Sequence, residues 1–270
     1  MRGCAAPLCC RAFRPWRPLF CCRLRERVSK TESFARIFER ACRRKGGEAA
    51  IETLLPAVAS TEALAALGDD RYLSLMTKRV FQAGFAWRVI EQKWPGFETA
   101  FRAFDPEHCA ALDGPGLEAL AADARIVRNR QKIASVPRNA RFVLDVAQTH
   151  DSFAHWIAAW PAEQIVDLWR ELARRGARLG GMSACIFLRM AGKDSFQLTG
   201  DVVALLVANN VVSKQPTTRA ELAACQTVFN AWAAESGRPL AHVSRICALS
   251  VGDNWMRSDE PPPPFLLDPE

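Results

Sequence analysis

The sequence lacks a long apolar run, and none reaches the roughly 18 residues that a membrane-spanning helix needs. The apolar pieces near its start are also too short for the core of a signal peptide. We therefore expect a protein that makes no use of a membrane.

Metal-binding and disulfide patterns are missing as well. The chain has four histidines and ten cysteines, but it has no Cys-x-x-Cys pair and no histidines at ligand spacing. We expect no metal and no cofactor. Half of the cysteines lie in the first 25 residues. The others are predicted to be reduced core thiols of an intracellular protein, and they are Cys42, Cys109, Cys185, Cys225 and Cys247.

Acidic residues are absent from residues 1–25, which contain six arginines. These arginines account for most of the formal net charge of +7, so the overall basicity says little about a nucleic-acid partner. We expect residues 1–28 to form a disordered basic leader of undefined role. The proline-rich residues 257–270 are expected to form a loose tail.

Sustained alternation of apolar and polar residues, which marks a half-buried strand, is also absent. Apolar residues instead recur three and four apart, as in residues 34–41. The pattern predicts an all-α domain over residues 29–256. We expect the Pro-Gly pair at residues 95–96 to end the helix that carries Trp87.

A glycine-rich turn separates two of the predicted helices within a hairpin region at about residues 172–208. Its sequence, RGARLGGMS, occupies residues 175–183. Glycines allow a phosphate to approach the backbone closely, and N–H groups at a helix N-terminus bind anions. The candidates for contact with a DNA strand are therefore Arg178, Gly180, Gly181 and Met182.

A single carboxylate, Asp201, lies twenty positions beyond Gly181. At that distance it could face a sugar of the same nucleic acid. The alternative is that Asp201 caps the helix that begins there, with Thr199 as the competing cap.

Four short segments, taken in order, carry a family resemblance. They are FQAGFAW at residues 81–87, FDP at 104–106, IVRNRQKI at 126–133, and RRG at 174–176 continuing to Gly181. Together they resemble the DNA-3-methyladenine glycosylase I family of helix-hairpin-helix DNA glycosylases, over roughly residues 70–205. The resemblance implies two packed helical lobes.

The resemblance also implies a base pocket around Trp87, which corresponds to the family tryptophan that stacks on the extruded base. Gln82 and Phe85 belong to the same motif, and Tyr72 is a further candidate for the pocket. A position in the core is the alternative for Trp87, and a capping or core role is the alternative for Tyr72. Arg79 falls where the family has a glutamate that contacts the alkylated base, so that contact is lost or replaced.

The family's zinc ligands are absent, since their positions fall at Val202 and Leu206. Asp201 matches an aspartate that serves catalysis across the wider superfamily. Glycosidic cleavage develops positive charge on the sugar, which an ionised carboxylate stabilises. No lysine stands near the hairpin in the pattern of Schiff-base enzymes, so we expect a monofunctional hydrolase.

Residues 125–141 hold six cations and no acid, which predicts a surface that faces phosphates. A merely solvated helix face is the alternative. Arg130 and Lys132 are the choices within this run, because both match the family motif.

The resulting hypothesis is a base-excision repair glycosylase that hydrolyses the N-glycosidic bond of alkylated purines such as 3-methyladenine in double-stranded DNA. We expect a monomer in the cytoplasm, associated with the nucleoid if the protein is bacterial. Two alternatives remain open. One is a damaged-DNA-binding protein without catalysis, which Arg79 favours, and the other is a helical module whose hairpin binds protein.

Overall fold

A computed structural model describes residues 31–252 of the chain, and its secondary structure over that range is entirely helical. The predicted leader and the whole of the predicted tail lie outside the described residues. The α-helices are α1 (Phe34–Lys45), α2 (Glu48–Glu52), α3 (Thr61–Ala66), α4 (Asp69–Gln82), α5 (Trp87–Ala100), α6 (Pro106–Ala110), α7 (Gly114–Ala122), α8 (Arg130–Ile133), α9 (Ser135–Ala147), α10 (Phe153–Ala159), α11 (Ile165–Arg175), α12 (Met182–Met190), α13 (Gly200–Ala208), α14 (Arg219–Ser236) and α15 (Leu240–Leu249).

Two apolar clusters form the interior, which confirms the two packed helical lobes. The larger cluster contains residues of α1 and of all the helices from α10 through α15. The smaller cluster lies around Phe97, Phe101 and Phe104. Helices α4 and α9 contribute to both: on α4, for example, Met76 belongs to the larger cluster and Phe81 to the smaller. These two shared helices therefore connect the lobes.

Helix α5 does not end at the Pro-Gly pair, so that expectation is wrong: the helix continues through Pro95 to Ala100. Burial of Phe97 and Phe101 beyond the proline offsets the lost backbone hydrogen bond. Gly96 is needed for a different reason. A side chain there would collide with the carbonyl oxygen of Arg125, which packs against the helix.

The five cysteines among residues 31–252 are free thiols, as predicted, and all except Cys42 are buried. Burial raises the pKa of the Cys185 thiol to about 12, so it is an uncharged core group. No helix in the described range is long and apolar enough to cross a membrane.

Candidate functional site

The glycine-rich turn links α11 to α12 and is held in place by a buried amide. Asn139, on α9, accepts a hydrogen bond from the N–H of Ala177 at 2.6 Å. Its side-chain NH₂ group donates a second one to the carbonyl of Ala177 at 3.2 Å. The backbone then passes through positive φ at Arg178 (62°) and at Gly181 (58°). Asn139 thus connects the hairpin directly to a helix that both lobes share.

The outer side of this hairpin is open to a ligand. A β-carbon at Gly180 or Gly181 would meet no atom within 4 Å. Within residues 31–252, the N–H groups of Gly181 and Met182 donate to no acceptor. Together with the N-terminus of α12, this geometry suits a phosphate.

A second basic segment reaches the hairpin from α8. Arg178 donates a hydrogen bond to the side chain of Gln131 at 2.6 Å, which joins the hairpin to α8. Arg130 is exposed and paired with the equally exposed Glu118. Exposed pairs of this kind are weak, so Arg130 can exchange its partner for a phosphate.

Lys132 has a structural position instead of the phosphate-facing one expected for it. Only 6% of the residue is exposed. Its ammonium donates to the carbonyls of Phe81 (3.1 Å) and Ala83 (2.5 Å) at the end of α4, and it lies 4.4 Å from the ring centre of Phe85. Burial lowers the pKa of Lys132, and the nearby Arg178 and Arg79 lower it further. The lysine therefore holds the loop before Trp87 in place.

Trp87 borders a cavity of about 320 Å³ between the start of α5, the end of α12, and α15. The residue is 40% exposed, so the core alternative does not hold for it. The cavity is large enough to bury a small planar ligand. Its other lining residues include Leu54, Ile186, Arg189, Thr199 and Arg245.

The two arginines of this cavity are anchored by uncharged oxygens. Arg189 donates to the carbonyl of Ser195 (2.9 Å) and the hydroxyl of Ser244 (3.2 Å), while Arg245 donates to the carbonyl of Leu54 (3.2 Å). Burial lowers the pKa of Arg189 to about 10 and lowers that of Arg245 as well. Both guanidinium groups still carry their charge at neutral pH.

The remaining base-pocket candidates lie in different surroundings. Phe85 is exposed and lies two residues before Trp87 in the sequence. Tyr72 is instead part of the core: it is fully buried, its hydroxyl donates to the carbonyl of Leu64 at 2.9 Å, and burial raises its pKa. Gln82 is 2% exposed and donates to Glu91 at 3.1 Å, but its own buried carbonyl oxygen has no partner.

Arg79 is buried with 9% of its surface exposed, and its Nε has no hydrogen-bond partner. Burial lowers the pKa of this guanidinium, and Cys185 is the neighbour that partly opposes the shift. Within the described part of the chain it forms no ion pair. Position 79, where the resemblance implies a glutamate, thus carries an uncompensated positive charge.

Asp201 lies in the first turn of α13. Thr199, and not Asp201, caps this helix, because its hydroxyl accepts the N–H of Val202. The carboxylate of Asp201 lies against the backbone of Gly252, where a β-carbon would collide with it. Asp201 is half-buried and belongs to the lining of neither cavity described here.

A second cavity, of about 710 Å³, lies on the hairpin side of α13. Gly181, Met182 and Gly200 line it, and so does Thr199, which also lines the Trp87 cavity. The start of α13 thus separates the hairpin from the cavity beneath the indole. Val202 and Leu206, the two positions at which the resemblance implies zinc ligands, are buried apolar residues.

Sequence reasoning missed three residues of this site, namely Asn139, Arg189 and Arg245. Asn139 could have been noticed as a polar residue among the apolar positions of α9. The two arginines come from helices that are far apart in the sequence, and no local pattern connects them.

Comparison with known proteins gives consistent results. A family profile for methyladenine glycosylase matches residues 64–204, just over half of the chain. The DNA-3-methyladenine glycosylase 1 of Escherichia coli K12 is 34% identical over 76 residues, which cover 28% of this chain and 41% of that protein. The DNA-3-methyladenine glycosylase of Haemophilus influenzae is 26% identical over a stretch of the same coverage. The match therefore spans about two fifths of the length of each of these curated relatives.

Among solved structures, the 3-methyladenine DNA glycosylase I of Staphylococcus aureus is similar with a TM-score of 0.44 and 21% identity. That alignment covers 51% of this chain and 80% of the other.

Proposed function

Because the chain belongs to the methyladenine glycosylase family, we propose that it is a monofunctional DNA glycosylase. In this proposal it binds double-stranded DNA, extrudes a damaged purine and hydrolyses the bond between that base and its sugar. An alkylated purine is the expected target, and 3-methyladenine is the first to test because the relatives carry its name. The protein would act as a monomer in the cytoplasm, and at the nucleoid if it is bacterial.

One observation carries the proposal. Thr199 borders both the cavity beside the hairpin and the cavity beside Trp87. A DNA strand held by the N–H groups of Gly181 and Met182 would therefore pass the start of α13, from which an extruded base can reach the indole. Stacking on an aromatic face is how flipped bases are commonly held.

The proposed role of Asp201 follows from the charge of the transition state. Cleavage leaves positive charge on the sugar, and an ionised carboxylate nearby lowers the energy of that state. Since Thr199 already caps α13, Asp201 is not required for that task. The same carboxylate would orient the attacking water.

The lysine nearest to the hairpin in sequence supports hydrolysis over a Schiff-base mechanism. Lys193 is buried, and its ammonium donates to the carbonyls of Ala158 (3.0 Å) and Trp160 (2.5 Å). An amine held in this way cannot attack a sugar without giving up both contacts.

The test is the release of bases from alkylated duplex DNA, separated by chromatography under single-turnover conditions. We expect wild type to release a modified purine and Asp201→Asn to do so at least about 100-fold more slowly, with unchanged DNA affinity. Asp167→Asn is the matched control, because Asp167 is an exposed aspartate that pairs with Arg170 on α11. Tight binding to damaged DNA without base release would instead favour the non-catalytic alternative, for which Arg79 is the supporting residue.

A further inference from the structure

The charged residues that line the Trp87 cavity are both positive. Arg189 and Arg245 both line it, and no Asp or Glu of residues 31–252 does. Its other polar lining residues, Gln197 and Thr199, are uncharged. A ligand in this cavity therefore meets two guanidinium groups and no anion.

These two charges are not neutralised nearby. Neither Arg189 nor Arg245 forms an ion pair within the described range, and both donate to uncharged oxygens instead. Asp194 has some electrostatic influence on Arg189, but its carboxylate is occupied by the N–H groups of Leu240 and Ala241. Each guanidinium has five N–H donors, so further donors remain for a ligand.

Two further cations stand at the support of the indole: Lys132 on α8 holds the loop before Trp87, and Arg79 on α4 interacts electrostatically with Lys132. Arg79 and Lys132 are both buried, and within the described chain neither has an acidic partner. Burial strengthens the effect of such charges, because the interior screens them less than water does. A cationic base would be repelled by this environment.

We propose that the Trp87 cavity selects an electrically neutral damaged purine, one that presents hydrogen-bond acceptors to Arg189 and Arg245, over a purine that carries a positive charge. This inference rests on the proposed glycosylase function and specifies which charge class of base it removes. Because 3-methyladenine is cationic while it is bound to its sugar, the inference ranks it below a neutral lesion as a substrate of this chain.

The chemistry of a neutral base explains why two arginines belong there. When the bond between the sugar C1′ and the purine N9 breaks, both bonding electrons go to the base. A cationic base becomes neutral, whereas a neutral base becomes an anion. Guanidinium groups stabilise that anion as its charge develops. The water oxygen then bonds to C1′, one water proton is lost to the medium, and the departing base takes up a proton.

The experiment compares duplexes that each contain one lesion. 1,N6-ethenoadenine and hypoxanthine are the neutral probes, and 7-methylguanine is the cationic probe. Single-turnover release is measured for each and divided by the spontaneous release from the same duplex. We expect this acceleration to be at least about tenfold greater for one of the neutral purines than for 7-methylguanine.

Variants assign the effect to the cavity. Arg245→Met and Arg189→Met should lower the acceleration for the neutral purine at least about tenfold while leaving or raising that for 7-methylguanine. Arg245→Lys should retain part of the acceleration for the neutral purine. Because Arg189 also holds Ser195 and Ser244, Arg245→Met is the decisive variant if Arg189→Met fails to fold. Arg43→Met, at an exposed and paired arginine on α1, is the control and should change neither ratio.

The outcomes separate the two proposals. Equal or greater acceleration for the cationic purine, or insensitivity of the neutral purine to Arg245→Met, would overturn the charge selection and leave the glycosylase in place. No enzymatic release from any of the duplexes or from alkylated DNA would overturn the proposed function itself.

Discussion

Trp87 is the residue on which recognition of the base depends most directly in this account. It stands at the N-terminus of α5 with 40% of its surface exposed, although large aromatic residues are usually buried. The loop before it is fixed by Lys132, whose ammonium holds the carbonyls of Phe81 and Ala83. The indole is therefore presented to the cavity from a rigid support.

Replacing Trp87 by alanine should weaken retention of the flipped base. Stacking of a base on an aromatic side chain contributes about 1–3 kcal/mol, so we expect single-turnover release to fall about 5- to 150-fold. The measurement is release from a duplex with one lesion. Trp87→Phe should recover most of the rate. Unchanged release by the alanine variant, with its fold intact, would show that the base binds elsewhere.

The order of the motifs was enough to single out Trp87 and Arg79 from the sequence. It was not enough to place Lys132, because a long side chain in a motif can point to solvent or to a nearby carbonyl. Lys132 turns inward because the end of α4 offers unpaired carbonyls. Arg189 and Arg245 were missed because only folding brings α12 and α15 to the same cavity.

The hairpin between α11 and α12 is the element that carries the DNA contact in this account. Asn139 fixes its first half, and Gly181 turns the chain into α12 at φ 58° and ψ −133°. This backbone conformation is essentially restricted to glycine. The adjacent Gly180 has no such constraint.

The two glycines therefore give a matched pair of substitutions. Gly181→Ala should reduce the free energy of unfolding by about 1–3 kcal/mol, because alanine is strained at this conformation. Gly180→Ala should change it by less than about 0.5 kcal/mol, since the added methyl meets nothing. Urea denaturation measures both. Equal effects of the two substitutions would mean that the turn is not constrained as described.

Glycine content alone predicted where this turn lies, and helical periodicity predicted most of the helices. The Pro-Gly pair in α5 shows where local rules fail: burial of Phe97 and Phe101 overrides the tendency of proline to end a helix. Asn139 shows a second limit. Its partner, Ala177, is 38 residues away, and such pairings are not visible in a local pattern.

At the scale of the whole molecule, the proposed site lies where parts of both lobes meet. Helices α4 and α9 belong to both apolar clusters, and they position the loop before Trp87 and the hairpin, respectively. Exposed cations of α8 and the hairpin are joined through the hydrogen bond between Arg178 and Gln131. This arrangement predicts one continuous DNA-binding surface.

Salt dependence tests that surface. Each phosphate contact that is lost should reduce the slope of log K against log salt concentration by about 1. We expect this reduction for Arg130→Gln and for Arg178→Gln, measured by fluorescence anisotropy with duplex DNA. Arg43→Gln is the control, since Arg43 is an exposed, paired arginine on α1. An unchanged slope in both test variants would contradict a DNA-binding role for α8 and the hairpin.

The most direct test of the central claim is hydrogen–deuterium exchange of the wild-type protein with a duplex that carries a non-hydrolysable 2′-fluoro nucleotide of a released lesion. The account predicts simultaneous protection of residues 84–87, 178–182 and 197–201, with protection at 84–87 absent for an undamaged duplex. Protection of the hairpin alone, with both duplexes, would contradict the claim that one strand is held at the hairpin while its base occupies the Trp87 cavity.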